Sequence, residues 1–177
     1  MSTILWESKT EIEYAVYRKS PRPAALVVFI DTDGVFRAPF AAYYAQEAAE
    51  RRKLPVRALA RSLYPSPPGA ALAETEAFLR QTFPGVFPQR DTCRQISEAD
   101  TCASLLVGAT GVHTRALIQM FPLYATRITG FAAFGGDVFL PEKPEPQAYR
   151  RCAELLRERT DAVLDRIGKE LLPPHDR

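Results

Sequence analysis

The chain has 177 residues, 46% of them hydrophobic and 25% charged, which suits one globular domain able to bury a core without staples. Lys plus Arg is 23 and Asp plus Glu is 21, so the net charge of +2 gives no electrostatic ground for a nucleic-acid or anionic-membrane partner. Cys93, Cys102 and Cys152 form no CxxC pair and are odd in number, which argues against a zinc site or disulfide framework and for free thiols in a reducing, cytoplasmic setting.

Residues 1–22 predict an edge strand and linker. Ile12, Tyr14 and Val16 alternate with Glu11 and Glu13, and Ser20-Pro21-Arg22-Pro23 breaks the pattern. Residues 1–19 contain no apolar stretch of the kind a signal peptide needs. Residues 24–30 are continuously apolar and rich in β-branched side chains. That is the pattern of a central strand covered on both faces, and it is far too short for a membrane span. Asp31-Thr32-Asp33-Gly34 ends the run. A helix is predicted from Pro39 to Lys53, with Arg51-Arg52-Lys53 as its solvated end.

A short element follows over 56–63 and stops at a Pro-rich loop. Helix is expected again over 70–82, with a turn at Phe83-Pro84-Gly85-Val86. The second buried strand spans 103–108, a helix 114–121 and a third strand 128–134. Residues 146–171 form a long amphipathic helix with Ala148, Cys152, Leu155, Leu156, Val163, Ile167 and Leu171 on one stripe. Residues 172–177 read as a flexible tail. Strands alternating with helices predict a single three-layer α/β domain, doubly wound, with a mostly parallel sheet.

In such sheets ligands bind beyond the carboxyl ends of the strands. The residues there are Asp31, Thr32 and Asp33, then Thr110 and Gly111, then Gly135, Gly136 and Asp137, with Lys143 shortly after. Two carboxylates two residues apart suit a nucleophile paired with a proton donor, and both could ligate Mg²⁺. The same four residues also make an ordinary turn. His113 reads as a helix-start residue facing solvent, with an acid/base role as the alternative. Asp161 and Asp165 read as a solvated helix face.

The run Val28-Phe29-Ile30-Asp31-Thr32-Asp33-Gly34-Val35-Phe36 resembles the first motif of the haloacid dehalogenase superfamily of phosphohydrolases. Residues 83–86 are similar to a turn that often precedes that family's second strand. Residues 105–110 look like its second motif, and Glu142-Lys143-Pro144-Glu145-Pro146-Gln147-Ala148-Tyr149 looks like its third. The resemblance spans residues 25–157 and lacks the family's fourth, acidic motif. It implies a Mg²⁺-dependent phosphohydrolase acting on a small phosphorylated metabolite, or a degenerate relative of one. Asp31 would be the nucleophile, Asp33 the general acid/base, and both would hold Mg²⁺. Thr110 would bind a phosphoryl oxygen, Lys143 would neutralise charge, and residues 37–82 would form a short helical cap.

The later strands also resemble flavodoxin-like proteins, which implies an FMN-dependent oxidoreductase with Gly111, Gly135 and Gly136 around the flavin. Two carboxylates in the first loop would repel the FMN phosphate, which wants N–H and hydroxyl donors. A third expectation is a non-catalytic interaction protein on the same scaffold.

Overall fold

Residues 25–31 (β1) supply seven buried positions in succession, and that run places them at the centre of a sheet. The computed structural model describes residues 25–67, 69–86 and 93–171. The expected N-terminal edge strand and C-terminal tail lie outside these residues.

β1 is followed by α1 (Arg37–Arg51), β2 (Val56–Ser62), α2 (Ala70–Thr82) and β3 (Arg94–Gln95). Then come β4 (Leu105–Gly108), α3 (Gly111–Met120), β5 (Ile128–Gly130) and α4 (Pro146–Arg166). The strands form one parallel sheet in the order β3-β2-β1-β4-β5. The predicted three-layer, doubly wound α/β fold is the fold observed.

Side chains of β1 alternate between two cores, as the two-residue period of a strand requires. Ala25, Val27 and Phe29 pack toward α1 and α4 with Phe36, Phe40, Leu156 and Val163. Leu26, Val28 and Ile30 pack the other way, against Leu106, Leu117 and Ile128. Each face is thereby covered, and the strand carries no polar side chain before Asp31.

Three expectations change. Residues 37–82 are not a cap: α1 packs on the sheet, and β2 pairs with β1 along its whole length, from Ala25 against Val56 to Asp31 against Ser62. The third strand stops at Gly130, and residues 131–134 turn into a 3-10 helix. Leu155 leaves the expected apolar stripe and is exposed, while its neighbours Leu156 and Cys152 are buried. A helix of 3.6 residues per turn cannot bring both Leu155 and Leu156 to one narrow seam. No helix among the described residues is long and apolar enough to cross a membrane.

A buried ion pair ties β2 to the turn that precedes β4. Arg61 Nε donates to Asp100 Oδ1 at 2.9 Å, and Asp100 Oδ2 accepts from the backbone N–H of Ser97 at 2.8 Å. Removing one partner leaves an uncompensated buried charge. Arg61→Met is expected to lower the unfolding free energy by about 3–5 kcal/mol, and Arg61→Met with Asp100→Asn by less than the sum of the singles. Urea denaturation reads both, and additive losses would exclude the coupling.

Candidate functional site

The chain runs from β1 to β2 and β3 on one side, then returns to β4 on the other. The order therefore reverses between β1 and β4, where a doubly wound sheet opens a crevice. The backbone pins both walls. Leu63 and Tyr64 donate to the carbonyls of Asp31 and Thr32, and Ala109 donates to that of Ile30.

Between β1 and α1 lies a tight loop, residues 31–38, with the Asp31 carboxylate inside it. Oδ1 accepts the N–H of Gly34 at 2.6 Å, and Oδ2 accepts that of Ala38 at 3.0 Å. Asp31 has 0% exposure. Burial pushes its carboxyl up to about 6; the N–H of Ala38 opposes the rise, Asp33 adds to it, and Arg37 and the N–H of Gly34 oppose it. Gly34 makes the turn possible at φ +73°, and a Cβ there would collide with the Cys93 thiol. Burial, with Asp31 and then Asp33 nearby, raises that thiol and keeps it protonated.

Arg37 opens α1. A cation at a helix N-terminus faces the positive end of the dipole, so its position is unfavourable unless an anion is near. It is 7% exposed, and its Nη1 and Nη2 make only long bonds, 3.3 Å to the Val138 carbonyl and 3.4 Å to Thr32 Oγ1. Its buried Nε has no hydrogen-bond partner among the described residues. A helix N-terminus and an under-used guanidinium are groups that attract an anion, and the nearest anion is Asp31 itself, which takes the Gly34 and Ala38 N–H groups.

His113 completes the wall. It is buried, against the expectation of a solvent-facing position, because α3 begins at Gly111 and turns its third residue inward. Its Nδ1 accepts the N–H of Thr110 at 3.1 Å and lies 2.7 Å from Thr110 Oγ1. Its Nε2 lies 2.9 Å from Thr32 Oγ1. Burial, followed by Arg37, lowers its pKa to about 4, against the pull of Asp137 and Asp33.

The expected site residues are thus redistributed. Asp33 stays at the loop, half-buried, and its Oδ1 accepts the N–H of Val35. Thr110 does not offer its hydroxyl to a ligand, since His113 Nδ1 takes it. Lys143 is exposed, and the cation acting on Asp31 is Arg37. Both oxygens of Asp31 already accept loop N–H groups, and the residue has 0% exposure, so neither oxygen is offered outward to Mg²⁺. No group of three or more His, Cys, Asp or Glu among the described residues is placed to hold a metal. The flavin contacts are filled from within: Asp137 accepts the N–H of Gly111, and the Arg159 guanidinium lies against Gly135. Asp161 and Asp165 bind Arg52, and Asp161 also accepts from Tyr44. Arg37 was missed by the sequence reading. Its signal was an arginine placed in the first turn of a helix directly after a buried strand.

No family model and no curated protein matches the chain. Solved structures do match. A low molecular weight protein tyrosine phosphatase from T. tengcongensis is 21% identical at a TM-score of 0.66, over 81% of this chain and 99% of its own. A protein tyrosine phosphatase from Entamoeba histolytica is 12% identical at 0.70, over 85% and 99%. The arginine phosphatase YwlE, in a cysteine-to-serine mutant with a phosphorylated active-site serine, is 20% identical at 0.68, over 82% and 97%. These likenesses establish the fold. None of these three is a haloacid dehalogenase, the superfamily that the sequence motifs resembled.

The two titrating groups pull stability in opposite directions. Asp31 binds its proton more tightly in the fold than the unfolded chain does, so its contribution is present below about 3.8 and is lost as pH rises through about 6. His113 binds its proton less tightly in the fold, so its contribution is present above 6.5 and is lost as pH falls through about 4. Relative to wild type, Asp31→Asn should make stability climb more steeply between pH 4 and 6, and His113→Asn should make it climb less. Thermal melts across that window test this, and equal slopes in all three proteins would contradict it.

Proposed function

We propose that the chain is a phosphohydrolase in which the loop 31–38 takes a phosphomonoester and Asp31 accepts the phosphoryl group. The observation that carries this reading is the buried, partly unpaired Arg37 guanidinium beside a carboxylate cradled by loop N–H groups. The matched phosphatases share the fold, and in the YwlE mutant named above an active-site side-chain oxygen carries phosphate.

In the first step an Asp31 oxygen attacks phosphorus and the bond from phosphorus to the leaving oxygen breaks. Asp33 gives that oxygen a proton. Water then attacks the phosphorus of the aspartyl-phosphate, its proton passes to Asp33, and phosphate leaves with the Asp31 carboxylate restored. Arg37 holds the non-bridging oxygens as charge shifts among them. The exposed side chains of Tyr64, Val112, Phe139 and Leu140 follow the carboxyl ends of β2, β4 and β5. That apolar rim favours a phosphorylated side chain of a polypeptide over the small metabolite that the sequence motifs implied.

Trapping tests the mechanism. Rapid acid quench with a radiolabelled aryl phosphate should leave label on Asp31 that hydroxylamine removes, as it does from an acyl phosphate. Asp31→Asn should abolish both label and turnover. Arg37→Lys should cost about 10²–10³ in kcat, whereas Lys143→Ala should cost little. Turnover should rise with pH as Asp31 ionises through about 6. Undiminished turnover in Asp31→Asn would end this reading. A wild type that neither binds phosphate nor is labelled would instead support a silent loop occupied by its own carboxylate, which the 0% exposure of Asp31 favours.

A further inference from the structure

Thr32 is exposed at the mouth of the loop, immediately after the buried Asp31. Its hydroxyl oxygen has two lone pairs and one proton to place. The backbone N–H of Thr110 donates to His113 Nδ1. A neutral imidazole that accepts at Nδ1 must carry its hydrogen on Nε2. Nε2–H therefore donates to Thr32 Oγ1 at 2.9 Å, and Arg37 Nη2 donates to the same oxygen at 3.4 Å. Both lone pairs are committed to cations or N–H donors of the protein. Among the described residues no acceptor takes the Thr32 proton.

We propose that Thr32 is a ligand-contacting residue of this site, its hydroxyl turned outward by His113 and Arg37 as an obligate donor to a bound oxyanion. His113 is then a positioning residue, since it touches the ligand only through Thr32. The ligand class follows from the donors. Thr32 O–H and Arg37 are both donors, so the partner must be rich in acceptors, a phosphoryl dianion or another tetrahedral oxyanion. A ligand that presents only N–H donors toward Thr32 would meet a donor with a donor and be rejected. The anchor is rigid as well as polarised. His113 is 4% exposed and fixed at both ring nitrogens, and the Thr32 carbonyl accepts the N–H of Tyr64.

This inference rests on the anion-loop reading but not on turnover. The test is binding of inorganic phosphate to the full chain by isothermal titration at neutral pH. Thr32→Val keeps the shape, removes the donor and should weaken binding about tenfold or more, the usual worth of a hydrogen bond to a charged group. Thr32→Ser keeps the hydroxyl and should retain most of the affinity. His113→Phe should weaken binding through Thr32, so adding Thr32→Val to it should weaken binding no further. Nitrogen-15 NMR of His113 gives a readout that a merely structural role would not fix: the Nε2–H tautomer is required. Wild-type affinity in Thr32→Val, an Nδ1–H tautomer, or no phosphate binding by the wild type would each overturn the proposal. Phosphate binding that depends on Thr32, with no phosphoenzyme, would sink the nucleophilic role of Asp31 alone. Phosphoenzyme formation indifferent to Thr32→Val would sink this inference alone.

Discussion

A carboxylate held inside its own loop sets the terms for the whole carboxyl edge of this sheet. Asp31 terminates the most buried strand, and its two oxygens close the backbone onto Gly34 and Ala38. Taking a charge out of water is costly unless hydrogen bonds and an opposite charge offset it. The loop supplies both, through two N–H groups and Arg37. Gly34 can make the turn because it lacks a Cβ, and Cys93 fills the space above it. Neighbouring strands then fix the carbonyls on either side, so the charge is presented by a rigid frame and not by a free surface loop.

The second carboxylate-rich feature near the site behaves differently. Asp137 spends both oxygens on one N–H, that of Gly111, at the start of α3. A negative side chain at a helix N-terminus is stabilising in itself, and this one also anchors the loop after β5 against α3. Val138, the next residue, donates to the Ala109 carbonyl and accepts from Arg37. The β5 loop thereby acts as a brace for the arginine. Arg37 is held by long contacts from two directions, and its buried Nε has no hydrogen-bond partner among the described residues.

Much of the fold was legible in the chain because burial leaves a pattern. The continuous run 24–30 announced a two-sided strand, and residues 70–82 were bounded as a helix to the residue. The cap was misread because residues 56–62 alternate polar and apolar positions weakly, and Arg57 and Arg61 hide a strand that pairs fully with β1. The two-residue β3 has no pattern to show. Position after a strand singled out Asp31, Thr32 and Asp137, and the structure places all three at or beyond the strand ends. Which way each polar group points was not legible, since Asp-Thr-Asp-Gly specifies a turn and not the partners of its oxygens. Thr110 looked like a ligand donor and became a partner of His113. Lys143 looked like the site cation, although a residue in the first turn of α1 holds that place. Motif spacing carries residue type and order, whereas hydrogen-bond valence emerges only when α3 and the β5 loop close over the strand ends.

If the loop takes a phosphoryl group as proposed, its own charge limits how that group can enter. Asp31 and Asp33 together contribute up to two negative charges, against one from Arg37 and about half a positive charge from the start of α1. A phosphoryl dianion arriving at that balance meets a net negative loop. Arg37 cannot change its charge, and His113 is held neutral by its burial and by the N–H at Nδ1. A proton entering with the substrate onto a carboxylate would meet that deficit. On Asp31 that proton would remove the nucleophile. On Asp33, the proton donor of the proposed reaction, it would weaken the repulsion. The same balance explains why every other polar group facing the ligand is a donor. A hydroxyl free to choose would turn its lone pair toward the guanidinium and its proton toward a carboxylate. Thr32, with both lone pairs already committed, can present only its proton.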